Sequence, residues 1–427
     1  MLAVVLAAGG GVRLQPLTLT RPKCLLPVGG KPILERIFEA LGEAGLKRVL
    51  TILSPEGLEV RKLYGEGGRL GLKLSYGLDR KPKGTGSSLL VAEASTGREA
   101  FLTIYGDLYL SRGVLKAFLE EALKQIGGCS TVLAAVEVDN PSEYGIVEAR
   151  GNKVLRVMEK PERAKSNLAN AGIYLFKPKV YKALRKVKPS KRGEIELTEA
   201  LNLLAEEDEV RMVKLPREGW LDVGRPWDLL EANRRALVEA EGRVEGLVEA
   251  NVTLKGKVIV EGGAVIHAGS VVEGPAFIGS GCEVGPSARI RPYTSLGRNT
   301  RVGSFCEVKN SIVMDGSKIS HLCYVGDSII GENCNFGAGT LIANLRLDEK
   351  PVKVELKGVR VNSGLRKLGA IIGDNVKTAV NVSIMPGVKI GPGSLIGPNL
   401  FIATDIPPNT MVLGRQTLTF KPLGEEA

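Results

Sequence analysis

Two spacings of apolar residues divide this chain. Up to about residue 230, short apolar runs alternate with stretches whose apolar positions recur three and four apart. The runs Leu2–Leu6, Arg48–Leu53, Ala100–Ile104, Ser130–Val136 and Ile173–Phe176 read as strands, and Ile33–Ala44, Arg112–Lys124 and Leu197–Ala205 as helices. Such alternation predicts an α/β domain layered on a mostly parallel sheet, with ligands at the carboxyl ends of strands. Trp227–Glu241 reads as a helix leading the chain out of it.

After Arg243 the period becomes six. Leu254, Val260, Ile266, Val272, Ile278, Val284, Ile290, Leu296, Val302, Val308 and Met314 follow one another at that interval. The phase slips at Ile319 and Val325, resumes at Ile330, Phe336 and Ile342, and returns at Ile384, Ile390, Ile396 and Ile402. Hexads predict a parallel β-helix in which each hexad is one face and three faces close a coil around an aliphatic column. Repeats of this type resemble the left-handed β-helix family, and that resemblance implies a homotrimer. Between Asn344 and Leu368 the hexads stop, so the charged stretch Arg346–Lys353 must leave the prism. The expected organisation is an α/β, Rossmann-like domain over 1–230, a helical linker over 231–245, the β-helix over 246–415 and a tail over 416–427.

The 427 residues exceed one ordinary core, which agrees with two domains. Residues 1–8 lack a basic leader and run straight into glycines, so they read as a strand and not a signal peptide. No stretch approaches the roughly 20 apolar residues of a membrane span. A cytoplasmic protein is expected. A net charge of +11 favours anionic partners. Because the cations are spread along the chain and aromatics are 5%, small phosphorylated ligands fit, and nucleic acid and membrane are not expected. The six cysteines form no C-x-x-C pair, so neither zinc nor a disulfide framework is indicated.

The loop after the first strand, Ala7-Ala8-Gly9-Gly10-Gly11, can bring backbone N–H groups close to a phosphate. Arg13 follows, then Lys23 behind Pro22. This suits a nucleoside triphosphate, whose charge grows as pyrophosphate leaves. Tyr105-Gly106-Asp107 and Trp220-Leu221-Asp222 each end an apolar run with a carboxylate, and two such aspartates can share Mg²⁺. Glu159-Lys160-Pro161 and Asn170-Ala171-Gly172 supply polar groups suited to a sugar and its phosphate. The ordered set GGGxR, RPK, GTG, YGD, EKP, NAGIY, ELT and WLDVGRP is similar to the sugar-1-phosphate nucleotidylyltransferases throughout residues 1–230. That resemblance implies in-line attack of a sugar-1-phosphate oxygen on the α-phosphorus. Asp107 and Asp222 would then hold Mg²⁺, and Arg13 and Lys23 would offset transition-state charge. It places Gly84 and Thr85 near the base, Gly145, Glu159, Asn170 and Glu196 on the sugar, and Lys160 on its phosphate. Relatives often carry a Gln shortly before the GTG; residues 77–82 here contain none, which leaves UTP and dTTP both open.

His267 falls at an outward hexad corner and reads as a surface residue. His321 falls where the phase slips, and its imidazole can accept a proton at neutral pH. The pattern Ser-Lys-x-x-His-Leu-x-Tyr-x-Gly-Asp, followed by Asn335, Asn344 and Lys350, resembles the acetyltransferase half of the bifunctional N-acetylglucosamine-1-phosphate uridylyltransferases, in particular the archaeal members. By that resemblance His321 is the base that deprotonates an amine attacking acetyl-CoA. Arg291, Lys309, Tyr324, Asn335, Asn344, Lys350 and Lys353 bind the acceptor, and the Ala338 N–H stabilises the oxyanion. Coenzyme contacts near the short tail are not assignable. The resulting expectation is a bifunctional enzyme of UDP-N-acetylglucosamine synthesis. Its rivals are a monofunctional thymidylyl-, uridylyl- or guanylyltransferase with a structural β-helix, and a non-catalytic scaffold.

Overall fold

The opening apolar run is buried because it has a strand on each side. A computed structural model describes residues 1–190 and 192–421, which form two units, Met1–Ala240 and Glu241–Ala427. The last residues of the expected tail, 422–427, lie outside the described residues. In the first unit a nine-stranded sheet contains β1 (Leu2–Ala7), β2 (Arg48–Leu53), β3 (Lys73–Leu78), β4 (Phe101–Tyr105), β5 (Thr131–Glu137), β6 (Gly145–Arg150), β7 (Lys153–Glu159), β8 (Leu168–Phe176) and β9 (Val210–Lys214). Its order is β3-β2-β1-β4-β8-β5-β9-β7-β6. Ala3, Val4 and Val5 are fully buried between parallel neighbours, which explains an apolar run with no alternation.

The sheet is less parallel than the run pattern predicts. β8 enters antiparallel between β4 and β5, and β7 pairs antiparallel with both β6 and β9. β7, with the sequence Lys-Val-Leu-Arg-Val-Met-Glu, buries only Val154 and Val157 and therefore carries no apolar run to betray it.

Among the helices, α1 (Ile33–Glu43) buries Ile33, Leu34, Ile37, Phe38 and Leu41, the stripe its spacing predicts. A later one, α2 (Pro226–Glu239), has proline in its first turn and buries Trp227, Leu229, Leu230, Ala232, Ala236 and Leu237. This burial corrects the expected linker over 231–245. Most of that stretch is core helix of the first unit, and β-helix pairing begins already at Arg243–Val244.

In the second unit, three parallel sheets of eight, nine and eight strands stack coil upon coil. Val272 pairs with Ile290 and Ile290 with Val308, eighteen residues on each time. Val308 pairs with Val325 and Val325 with Ile342, only seventeen residues on. The shortening comes earlier than the hexad count suggests. Val313, not Met314, sits between Leu296 and Ile330 in the column, so the five-residue steps are Val308 to Val313 and Val325 to Ile330. His321 lies between these two steps and not at one. All six cysteines are free and buried.

The hexad-free segment leaves between paired coils, since Ile342 still registers with Ile384. It forms an antiparallel hairpin, Lys353–Leu356 with Val359–Asn362, closed at its base by the Leu368 N–H donating to the Asn344 carbonyl at 2.9 Å. Among the described residues no helix is long and apolar enough to cross a membrane.

Because Ile319 is fully buried in the column, Ile319→Ala is expected to cost roughly 2–5 kcal/mol. Leu341→Ala, on an exposed face, should stay within about 0.5 kcal/mol. Chemical denaturation of the two variants checks the column against the outward face.

Candidate functional site

In the first unit the chemistry gathers where β1 and β4 end. A ribbon pairs Leu108–Leu110 with Trp220–Asp222, and the Val223 N–H donates to the Asp107 carbonyl at 3.1 Å. Backbone pairing thus brings together two aspartates far apart in sequence. Lys23, in a one-turn 3-10 helix behind Pro22, reaches both: its Nζ is 2.5 Å from Asp107 Oδ2 and 4.0 Å from Asp222 Oδ1. Burial alone would lower the Lys23 ammonium's pKa, but Asp107 and then Asp222 outweigh it and raise it. Burial raises Asp222 above its ordinary 3.8 despite Lys23, with Asp107 adding to the rise.

Two hard-oxygen carboxylates converging on one ammonium fit a divalent cation of the Mg²⁺ type. Among the described residues no group of three or more His, Cys, Asp or Glu could hold a metal, so phosphate oxygens and water would complete the shell. The Arg13 guanidinium lies against Gly224, where a Cβ would come within 2.9 Å of its Nη2, and its charge acts on both Lys23 and Asp222.

A cavity of about 260 Å³ opens from these groups. Of the expected residues, Arg13, Gly84, Thr85, Asp107, Gly145, Glu159, Lys160, Asn170, Glu196 and Asp222 all line it. Gly84 has φ +99 and is pressed on the chain at Glu194–Ile195, where a Cβ would lie 2.8 Å from the Ile195 carbonyl oxygen. Gly9 and Gly10 differ, because a Cβ there meets no protein atom within 4 Å. The fold does not need glycine at these two positions, whereas an approaching phosphate would. Ala7 and Ala8 are buried behind them.

At the far end of the cavity, Arg192 Nη2 bonds Glu196 Oε1 at 2.8 Å and Glu159 Oε1 at 3.3 Å. Burial and the neighbouring Glu196 raise the Glu159 carboxyl against the pull of Lys160 and Arg192. Thr198, 4% exposed, lines the same wall, and its hydroxyl has no hydrogen-bond partner among the described residues. Sequence reasoning passed over Arg192 and Thr198, although Thr198 belongs to the ELT motif. Within residues 77–82, which contain no Gln, Asp79 is 7% exposed and is tied to Ser88 Oγ at 2.9 Å and to Ser87 Oγ at 3.3 Å.

In the second unit His321 stands exposed at a coil corner. The corner Gly337–Gly339 stacks directly on it, with the Gly339 N–H donating to the His321 carbonyl at 3.1 Å, so Ala338 is one coil along. Leu322 beside it and Phe305 one coil away hold left-handed φ values of +51 and +54, where several other coils place asparagine. Bulky residues in that conformation carry strain of a kind often found at working sites.

Arg291, Lys309, Tyr324 and Asn344 lie together along one sheet. They are organised by Asp327, 4% exposed, which sequence reasoning passed over. It accepts from Lys309 Nζ at 3.3 Å, from Asn310 Nδ2 at 2.7 Å and from Asn344 Nδ2, while Asn344 also reaches the Tyr324 hydroxyl at 3.2 Å. Arg291 pairs with Glu307 at 2.9 Å. Asn335 lies on a different sheet, between Lys318 and Lys377, and Lys350 and Lys353 are exposed in the excursion. The structure does not draw these three into the Asp327 cluster. His267 pairs with Glu249 at 2.9 Å on the surface.

Comparison with known proteins gives a match of residues 2–239 to the nucleotidyl transferase family. Residues 272–384 match the GMPPB C-terminal domain, and residues 369–404 the bacterial transferase hexapeptide repeats. The chain is 46% identical to the "Bifunctional protein GlmU" of Methanocaldococcus jannaschii, over 99% of each chain. It is 44% identical to the "Bifunctional sugar-1-phosphate nucleotidylyltransferase/acetyltransferase" of Sulfurisphaera tokodaii, over 91% of this chain and 93% of that one. A solved structure described as a "Putative Glucose-1-Phosphate Thymidylyltransferase from Bacillus anthracis" superposes with a TM-score of 0.52 at 28% identity, covering 57% of this chain and 97% of that one.

Gly10→Ala should leave the melting temperature unchanged, because the added methyl meets no protein atom. It should cut nucleotide turnover roughly 10- to 100-fold by displacing the phosphates. Thermal denaturation beside steady-state kinetics checks both halves. The raised pKa of Asp222 means that the ligand-free fold takes up a proton there more readily than the unfolded chain does. That group's contribution to stability therefore grows as pH falls through its raised pKa, while cation affinity weakens over the same interval. Asp222→Asn should accordingly abolish divalent-cation binding yet keep or increase thermal stability, and it should flatten the pH dependence above pH 4.

Proposed function

Because the chain belongs to the nucleotidyl transferase family and is similar nearly end to end to bifunctional enzymes, we propose that it makes UDP-N-acetylglucosamine by two reactions housed in separate parts of one polypeptide. In the first reaction the amine of glucosamine-1-phosphate attacks the thioester carbon of acetyl-CoA. His321 takes the proton as the N–C bond forms, the Ala338 N–H bonds the oxyanion, and as the C–S bond breaks His321 returns that proton to the sulfur, so that the coenzyme leaves as its thiol. Arg291, Lys309, Tyr324 and Asn344 hold the acceptor phosphate and hydroxyls, with Asn335 on another sheet and Lys350 and Lys353 in the excursion as the further acceptor residues. A homotrimer is the assembly proposed for this half.

In the second reaction a phosphate oxygen of N-acetylglucosamine-1-phosphate attacks the α-phosphorus of UTP in line, and pyrophosphate leaves. Mg²⁺ on Asp107 and Asp222 would bridge and neutralise triphosphate oxygens. Lys23 and Arg13 face the charge that builds as the leaving group separates, the Gly9–Gly10 backbone receives the phosphates, and Gly84 and Thr85 flank the base. Lys160 meets the sugar phosphate, while Gly145, Glu159, Asn170 and Glu196 surround the sugar. With no Gln in residues 77–82, UTP and dTTP remain the two nucleotides to compare.

One observation carries the two-reaction reading: a pair of half-buried carboxylates sharing the buried Lys23 and an exposed histidine on a hexad prism occur in one chain. A prism serving only for assembly needs neither His321 nor the Asp327 cluster. Lys23→Ala is expected to remove pyrophosphate release by roughly 10²–10³-fold while thiol release from acetyl-CoA continues, and His321→Ala should do the reverse. Loss of both activities from either single change, in protein that still folds, would refute two separate sites.

A further inference from the structure

A row of hydroxyls runs back from the lining of the first cavity to Tyr174, which nothing above uses. Tyr174, fully buried in β8, accepts from Asn170 Nδ2 at 2.7 Å, and its hydroxyl lies 3.0 Å from that of Tyr105, which lines the cavity. Thr85, on the same lining, accepts at Oγ1 from the Leu197 N–H at 3.3 Å.

The backbone between Asn170 and Tyr174 is shaped for this. Pairing with β5 slips between those two residues, so that Ala171–Ile173 form a bulge. The Trp220 indole N–H pins the bulge by donating to the Ala171 carbonyl at 2.8 Å. At its centre Gly172 has φ +72, and a Cβ there would lie 2.5 Å from the Tyr105 ring, so only glycine lets that ring close down.

These contacts fix which way the Asn170 amide faces. The Gly172 N–H, which can only donate, points at Asn170 Oδ1 at 3.4 Å, and one Nδ2 N–H is taken by Tyr174. Oδ1 keeps one lone pair and Nδ2 keeps one N–H, so the amide can still meet a ligand on either atom. We propose that Tyr174 is a positioning residue that holds the Asn170 amide in place at the sugar wall, so that the site reads one hydroxyl or amide N–H of the sugar-1-phosphate. The proposal rests on the sugar-1-phosphate reading of this cavity. Tyr174 itself touches no substrate. Its effect is to restrict the Asn170 side chain, and hence to sharpen selection among sugars. A site whose polar group is held in one place rejects an analogue that lacks the matching partner.

The test is a double-mutant cycle on the full-length protein, read as the Kd of N-acetylglucosamine-1-phosphate by calorimetry and as KM and kcat for pyrophosphate release. Tyr174→Phe keeps the ring and removes only the hydroxyl. It should raise Kd and KM about tenfold with kcat within twofold, and it should add nothing further in an Asn170→Ala background. Across a series of monodeoxy sugar-1-phosphates, one analogue should lose its penalty in Tyr174→Phe while the others keep theirs. That result also identifies the hydroxyl that Asn170 reads. Additive losses in the cycle, or penalties that shrink across the whole series, would overturn the positioning role in favour of packing. If Tyr174→Phe is too unstable to assay, Tyr174→Met, which removes the hydroxyl from a flexible side chain, must give the same non-additivity or the proposal falls. Sugar-phosphate binding with the expected coupling but without pyrophosphate release would contradict the uridylyl-transfer reading and leave the positioning role standing.

Discussion

The first unit depends on one electrostatic compromise, a buried ammonium held between two half-buried carboxylates. Lys23, Asp107 and Asp222 come from three distant parts of the chain, and the two carboxylates together offset the cost of burying the Lys23 charge. The pairing of Trp220–Asp222 with Leu108–Leu110 keeps the carboxylates together, and Pro22 stiffens the approach of the lysine. Such a cluster is poor at stabilising a fold and well suited to receiving a polyanion with its cation. A triphosphate can take over the ammonium while a metal takes over the carboxylates.

The second unit meets the opposite problem, since its column is so regular that chemistry needs an irregularity. Asp327 supplies one, sitting where a coil is a residue short and gathering side chains from neighbouring coils around a single carboxylate. His321, by contrast, is displayed by an ordinary corner whose neighbour, Leu322, occupies a conformation that asparagine fills in several other coils.

Much of this was legible in the residues. The strand at the start of the chain, the stripe of the helix Ile33–Glu43 and the aliphatic column all follow from apolar spacing, because burial on both faces, on one stripe and on one face each leave a distinct period. Strands β6 and β7 were not legible, since a sheet edge with one wet face and many charges has no apolar run. Met314 was taken for a column residue because both it and Val313 are apolar and buried, and only pairing decides between them. Within the site, motif residues such as Asp107, Glu159 and Asn170 could be named from order alone. Arg192 could not, because its importance lies in what it touches, and Thr198 and Asp327, although inside quoted motifs, gain a role only from their surroundings.

The excursion from the prism begins and ends at residues joined by a single backbone hydrogen bond, Asn344 to Leu368, and the coils on either side remain in register. Geometrically it is an appendage on a closed ring. Its inner strand is nevertheless fastened to the stack, because Val352, Val354 and Leu356 are buried and a Cβ at Gly387 would lie 2.8 Å from the Val352 side chain, so the exposed turn and charged stretch can drift while that apolar edge cannot.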